Sequence, residues 1–280
     1  MQSLILSPSP VRKQSIPKML FNLKTEDNQI EILSGDSEDD SSMTEQSDEK
    51  VYSISTNFLE FEGYNGLYRH AWDLFVISDV EEAYMMKRST FNSFIKETSR
   101  LYEWRGNPYH NFRHGITVMN KVYHFRNSPS VIKGEYFTTL GTAALLFAGL
   151  MHDIDHRGKN NTYEINSLSD LALTYNDVSV LESHHSALAF ELLTQKGKNI
   201  FESMHKLDYP FFRQFVIHAI LSTDVKNHFE HLAAFKEKLE SFEFDPVETN
   251  EDYEDFLLLI GVLTHTADLY VPTLPLKDSL

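Results

Sequence analysis

Between residues 150 and 161 the sequence reads LMHDIDHRGKNN, which gathers four groups able to bind a metal: His152, Asp153, Asp155 and His156. They follow an unbroken run of apolar or small residues, Ala143 to Met151. His110 and His114 repeat the four-residue spacing of His152 and His156, and Asp268 closes another apolar run in THTADL. Residues four apart share a helix face. The spacing therefore predicts His110 and His114 on one face of a helix, and His152 and His156 on another if that helix persists. Asp153 is turned about 100° from His152, yet a long imidazole and a short carboxylate can still meet at one ion beside a helix end. Taken singly, each group has an ordinary reading. A helical His is usually a hydrogen-bonded core or surface residue, and an acid after an apolar run marks where the helix meets water. Recurrence in three segments favours a metal, because buried ionisable groups are costly unless paired or ligated. The chain has no cysteine, so the donors must be imidazole, carboxylate and water, a set that zinc, manganese and iron accept.

Such a site suits hydrolysis of a phosphate ester. Two ions roughly 3.5–4 Å apart can share a carboxylate and a bridging hydroxide, and a bound ion can lower the pKa of water from about 15.7 to about 7. The formal charge of −16 argues against nucleic acid or an anionic membrane surface as a partner, since both need a basic patch. Bound cations would make the pocket locally positive within this acidic chain. There is no stretch of 18 apolar residues and no secretory signal pattern, so the expected setting is cytoplasmic, without membrane insertion.

The elements that must position these groups read as helices. Apolar residues recur at three- and four-residue spacing in AWDLFVI (71–77) and RSTFNSFIKETSRLYEW (88–104). NPYHNFRHGITVMNKVYHF (107–125) is expected to start a helix after Pro108 with Asn107 as its cap. EYFTTLGTAALLFAGLMHDIDH (135–156) is apolar nearly all round, as a buried central helix should be. SVLESHHSALAFELLTQ (179–195) carries Ser179 and Glu182 in capping-box spacing. Segments 210–224, 228–242 and 251–270 continue the helical pattern, with no alternating strand segment. A compact all-α multi-helix bundle follows over 55–280. Residues 1–54, with LSGDSEDDSSMTEQSDEK at 33–50, have little to bury and are expected to form a disordered acidic tail, open to a regulator or to phosphorylation.

The segments NPYHNFRHG, HDIDHRGKNNTYEIN, LALTYNDVSVLESHHSALAFELL, ILSTDVKNH and HTADL resemble, in order and spacing, the signatures of the class I 3′,5′-cyclic nucleotide phosphodiesterase catalytic domain. YHNFRHG, NNTYEIN and NIF resemble the type-nine, cGMP-selective branch. The resemblance implies a helical domain of the HD type that hydrolyses cGMP or cAMP to the 5′-monophosphate. It implies zinc at a first site made by His114, His152, Asp153 and Asp268, with Asp153 bridging to Mg²⁺ or Mn²⁺ at a second. It makes His110 the general acid for the departing 3′ oxygen, for which Glu182 is the expected carboxylate partner. His156, Glu182 and Thr223 would hold water or orient the site, and Tyr109 and Asn161 would lie at the substrate pocket. Asp155 is expected to cap or to pair with a cation. Of His184 and His185, one should support the site and the other pack. A homodimer is among the expected assemblies.

The chain departs from the family at Arg157, where many members carry proline, and in DLYVPT. It offers no match for the glutamine and aromatic that grip the purine, so the catalytic domain is expected to be incomplete at its C-terminus. Two rival readings follow: another HD-type phosphohydrolase, and a catalytically poor nucleotide-binding or regulatory protein.

Overall fold

The computed structural model describes residues 52–56, 58, 63–128, 136–241, 244–248 and 253–270, all within one contact unit, Asp48–Leu280. The acidic segment and the VPTLPLKDSL segment lie outside the described residues.

Among the described residues the chain is helical and without strands. Its helices are α1 (Asn65–Val76), α2 (Val80–Ala83), α3 (Arg88–Glu103), α4 (Phe112–Arg126), α5 (Thr139–Met151), α6 (Asn161–Asn166), α7 (Asp170–Tyr175), α8 (Val180–Thr194), α9 (Tyr209–Leu221), α10 (His228–Ser241) and α11 (Glu254–Tyr270). The short α6 and α7 were not expected from periodicity. Each is only six residues long, and each starts with a side-chain cap: Asn160 accepts from Tyr163 N–H and Ser169 from Ala172 N–H.

The axis of the fold is α5. Every residue from Gly141 to Met151 is buried, and α4, α9 and α11 pack around it. Phe147 meets Phe94, Phe190, Phe201 and Phe212 at ring-centroid distances of 5.5–6.2 Å. At the start of α5 the Glu248 carboxylate accepts from the Thr138 backbone N–H at 2.7 Å, the Thr138 hydroxyl at 2.5 Å and Gly141 N–H at 3.0 Å. A carboxylate at a helix N-terminus satisfies orphan donors and complements the dipole. Gly115 of α4 is where that helix passes close to α5: a Cβ there would stand 2.9 Å from the Leu150 carbonyl and 3.0 Å from the Tyr102 hydroxyl.

Three local expectations are corrected. α4 starts at Phe112, capped by Asn111, whose side chain accepts from His114 N–H at 3.2 Å. Asn107 instead donates to the His156 carbonyl, so His110 lies in the turn before the helix. α5 does not continue to His156. It ends at Met151, and the following turn carries Asp155 at φ +60°. Finally, Ser179 and Glu182 form no capping box. Ser179 sits at φ +39° and donates to Asp224 at 2.8 Å, while the orphan Leu181 N–H of α8 donates to Asn161 Oδ1 at 2.9 Å. A side chain brought in by tertiary packing has displaced the local cap.

Candidate active site

α4, α5 and α11 deliver four side chains to one place. His114 comes from the first turn of α4, His152 and Asp153 from the end of α5, and Asp268 from the last turn of α11. His114 Nε2 stands 3.1 Å from His152 Nε2, 3.0 Å from Asp268 Oδ1 and 3.3 Å from Asp153 Oδ2. His152 Nε2 stands 3.3 Å from Asp153 Oδ2 and 3.4 Å from Asp268 Oδ1. A tetrahedron with bonds of about 2.0–2.1 Å has edges of about 3.3–3.4 Å, so these separations suit a cation at their centre. His152 Nδ1 donates to the Gly149 carbonyl at 3.0 Å, which fixes the tautomer and presents Nε2 to the cage. The Tyr102 hydroxyl donates to the Leu150 carbonyl at 2.8 Å and accepts from Asp153 N–H at 3.2 Å, steadying the residue that leaves the helix.

The charges within the cage reinforce one another. Burial opposes a proton on His114 and on His152, but the Asp153 and Asp268 carboxylates outweigh it and raise both pKa values. The same contacts, against burial, hold Asp153 and Asp268 well below the usual carboxylate range. Two imidazoles and two carboxylates are thus balanced to accept either protons or a metal.

A second group adjoins the first. Asp153, His156 and His185 bring ligand atoms within 4.8 Å of one another. His185 Nδ1 donates to the Ile154 carbonyl at 2.6 Å, which leaves Nε2 as a buried acceptor without a hydrogen-bond partner. Such an orphan is costly unless a cation or ordered water faces it. Burial pushes the His185 pKa down to about 3 and that of His156 down to about 4, so both offer lone pairs at neutral pH. His156 Nδ1 accepts from Gly158 N–H at 3.0 Å, in a turn that needs φ +70° at Gly158. The donor set, the spacing of the cage and this orphan nitrogen fit a pair of divalent ions.

His110 stacks on His156 with ring centroids 3.9 Å apart and planes 18° apart, beside His114 at 5.9 Å. Burial lowers its pKa, partly offset by Asp153. Glu182, the carboxylate expected beside His110, accepts from Asn161 Nδ2 at 2.9 Å and lines the same cavity, while stacking on His156 orients His110. Burial lifts the Glu182 carboxyl to about 7, with Asn161 opposing and Asp224 assisting. Tyr109 lies against both rings, 4.9 Å from His110 and 4.8 Å from His114, and burial lifts its phenol to about 12.

A cavity of about 740 Å³ opens in front of the cage. It is lined by His110, Asp153, His156, Asn161, Glu182, Thr223 and Asp268 among others. Every site residue expected from sequence except the cage histidines and Tyr109 therefore borders one space. The Thr223 hydroxyl donates to the Ile220 carbonyl at 2.8 Å. Asp155 pairs with a cation, accepting from Arg105 Nε at 2.8 Å, Trp104 Nε1 at 2.6 Å and His184 Nε2 at 2.8 Å. His184 thus holds the turn and His185 faces the site, a division that adjacency in sequence left open. Asp177, Lys159 and Lys226 also line the cavity. They sit in or beside short turns, where no periodicity marked them.

Comparison with known proteins follows the same segments. The family model described as 3′5′-cyclic nucleotide phosphodiesterase matches residues 109–279. The 3′,5′-cyclic-nucleotide phosphodiesterase regA of Dictyostelium discoideum is 36% identical over 197 residues, covering 70% of this chain and 24% of that protein. A 3′,5′-cyclic-AMP phosphodiesterase of Drosophila melanogaster, isoform F, is 37% identical over 208 residues, 74% of this chain and 31% of its own length. The high affinity cGMP-specific 3′,5′-cyclic phosphodiesterase 9A of Mus musculus is 40% identical over 159 residues, 56% and 28%. This chain thus spans between about a quarter and a third of these relatives. The phosphodiesterase domain of the RhoPDE fusion protein of Salpingoeca rosetta superposes with a TM-score of 0.75 at 32% identity, over 82% of this chain and 70% of that one. Relatives named for cAMP and for cGMP match at comparable identity, so the likeness is to the family as a whole. No helix among the described residues is long and apolar enough to cross a membrane. The matched segment holds the four cage residues, His110 and the cavity walls, and it covers more than half of the chain: the chain belongs to the 3′,5′-cyclic nucleotide phosphodiesterase family.

Proposed function

We propose that this chain hydrolyses a 3′,5′-cyclic nucleotide to the 5′-monophosphate, using two divalent ions. The observation that carries the reading is the convergence of His114, His152, Asp153 and Asp268, far apart in sequence, at separations of 3.0–3.4 Å. These four would hold the first ion, for which zinc suits the donor set. Asp153, with the His156 and His185 group, would hold the second, Mg²⁺ or Mn²⁺, directly or through water. Bound ions supply Lewis-acid stabilisation of phosphoryl charge and lower the pKa of water.

The chain's own residues supply the remainder. When the bond between phosphorus and the 3′ oxygen breaks, the departing oxygen needs a proton, and His110 at the cavity wall donates it. Stacking on His156 and contact with Tyr109 hold the ring in place. Burial makes His110 a readier donor than a solvated imidazole, while Asp153 keeps a protonated population. General acid catalysis of this kind contributes about 10²–10⁴ in rate. Glu182, held by Asn161, and Thr223, both at the wall of the same cavity, orient water and substrate. The substrate is cGMP, cAMP or both, since relatives named for each match at comparable identity, 40% and 37%. A cytoplasmic setting accords with the cysteine-free composition.

The test offers the chain cGMP, cAMP and a linear phosphate monoester in the presence of Zn²⁺ with Mg²⁺ or Mn²⁺, with chromatography of products. The proposal expects 5′-monophosphate from a cyclic substrate. Release of a 3′-monophosphate, or cleavage of the linear ester alone, would contradict it.

A further inference from the structure

Lys159 and Lys226 line the cavity, and the chemistry above does not use them. Lys159 lies in the turn before α6. Lys226 lies in a single 3₁₀ turn, Val225–Asn227, just after Thr223 and Asp224. Both side chains are exposed. Arg157, beside the same segment, is by contrast held by Asp170 at 2.5 and 3.0 Å. Among the described residues neither Lys159 nor Lys226 forms an ion pair with a carboxylate. The Lys159 ammonium stands instead over the Tyr163 ring at 5.2 Å. Meanwhile the walls carry Asp153, Asp177, Glu182, Asp224 and Asp268, within a chain of net charge −16. Asp153 and Asp268 would be taken up by the proposed ions, but the remaining wall carboxylates still repel an approaching anion, and cations at the entrance offset them. Among the described residues lining this cavity, these two lysines are the only Lys or Arg side chains.

We propose that Lys159 and Lys226 form a cationic rim that captures the nucleotide phosphate and holds a 5′-monophosphate more firmly than its cyclic ester. The inference rests on the phosphodiesterase reading of the same cavity. Coulomb attraction scales with ligand charge. A cyclic phosphodiester carries one negative charge, whereas a monoester approaches two at neutral pH, as a phosphorylated side chain does. The same two cations therefore act more strongly on the product than on the substrate. Being exposed, they are screened by salt over a Debye length of about 8 Å at physiological ionic strength. Cationic focusing at a cleft raises encounter rates by about 10–10³, so the rim speeds capture and also makes the enzyme sensitive to its own product.

The test uses the full chain and the double variant Lys159→Gln/Lys226→Gln, with Lys206→Gln as an exposed control outside the cavity. Calorimetric titrations at low and high salt compare AMP and GMP with cAMP and cGMP, and with uncharged adenosine and guanosine. The double variant should weaken 5′-monophosphate binding on the order of tenfold at low salt, weaken cyclic nucleotides less, and leave the nucleosides unchanged. Its salt dependence should flatten, while Lys206→Gln follows the parent. Lys159→Arg/Lys226→Arg, which keeps both charges, should restore the parent pattern. Equal weakening of nucleosides and nucleotides, no weakening at all, or a parent that binds no nucleotide would overturn the rim. Lysine-dependent binding without hydrolysis would instead remove the phosphodiesterase reading and leave the rim standing. Hydrolysis indifferent to both lysines would do the reverse.

Discussion

The turn joining Asp153 to His156 is built around Asp155. Its carboxylate accepts from Trp104, Arg105 and His184 at 2.6–2.8 Å. Burial acts to raise its pKa, but the His184 and Arg105 contacts outweigh it and bring the carboxyl from 3.8 down to about 2. At 1.36 kcal/mol per unit, that shift corresponds to about 2 kcal/mol of folding stability. The sign follows from the direction. A carboxyl depressed in the folded state contributes fully above its unfolded pKa near 4, and the contribution is lost as the pH falls through about 2. We predict that Asp155→Asn, which keeps the shape and tolerates the left-handed backbone at φ +60°, loses about 2 kcal/mol at pH 7. Asp155→Ala should lose roughly 1 kcal/mol more, because its Cβ meets the same backbone without a compensating side-chain hydrogen bond. Urea unfolding reads both as shifts in midpoint at constant slope. The gap between parent and Asp155→Asn should narrow as the pH is lowered below 4. An Asp155→Asn variant within about 0.5 kcal/mol of the parent at pH 7, or a gap indifferent to acid, would refute the assignment of this carboxylate as the charged keystone of the turn.

Other perturbations separate chemistry from scaffolding. His110→Ala should lower kcat by about 10²–10⁴ while metal content, measured by mass spectrometry, survives; loss of metal would reassign His110 to ligation. Asn161→Ala removes both the α8 cap and the donor to Glu182. It should cost about 1 kcal/mol in chemical denaturation and move the Glu182 carboxyl above its present value of about 7, read by infrared titration; an unchanged titration would contradict the pairing. Glu248→Ala strips the start of α5 of its acceptor and should cost about 2–3 kcal/mol, with Glu248→Gln costing less because an amide oxygen still accepts. Equal losses would show that packing, not the cap, is responsible.

The bundle was largely legible because its core helices are long and their apolar faces wide. α5 announced itself as central by lacking a polar face, and α11 by an apolar run ending in Asp268. The cage was legible because donors recur at the ends of such runs. What sequence did not show is how the ends are finished. Equal spacing of His110 and His114 suggested one helix, but Asn111 takes the cap and the helix starts at Phe112, beyond His110. Ser179 and Glu182 have capping-box spacing, yet Asn161, which belongs to a helix too short for periodicity to reveal, takes that role. The pairing of Asp155 with Arg105 and His184, and the exposure of Lys159 and Lys226 at one cavity, depend on contacts between segments that no local pattern encodes.

In the proposed site four distant side chains close around one cation. The most direct measurement is the metal content of the purified chain, and of His114→Ala, His152→Ala and Asp268→Ala, after equilibration with Zn²⁺ and gel filtration, with circular dichroism to verify folding. The parent should retain zinc tightly, and each folded variant should lose it. Retention of zinc by any one of these folded variants, or a parent that retains none, would be the opposite outcome.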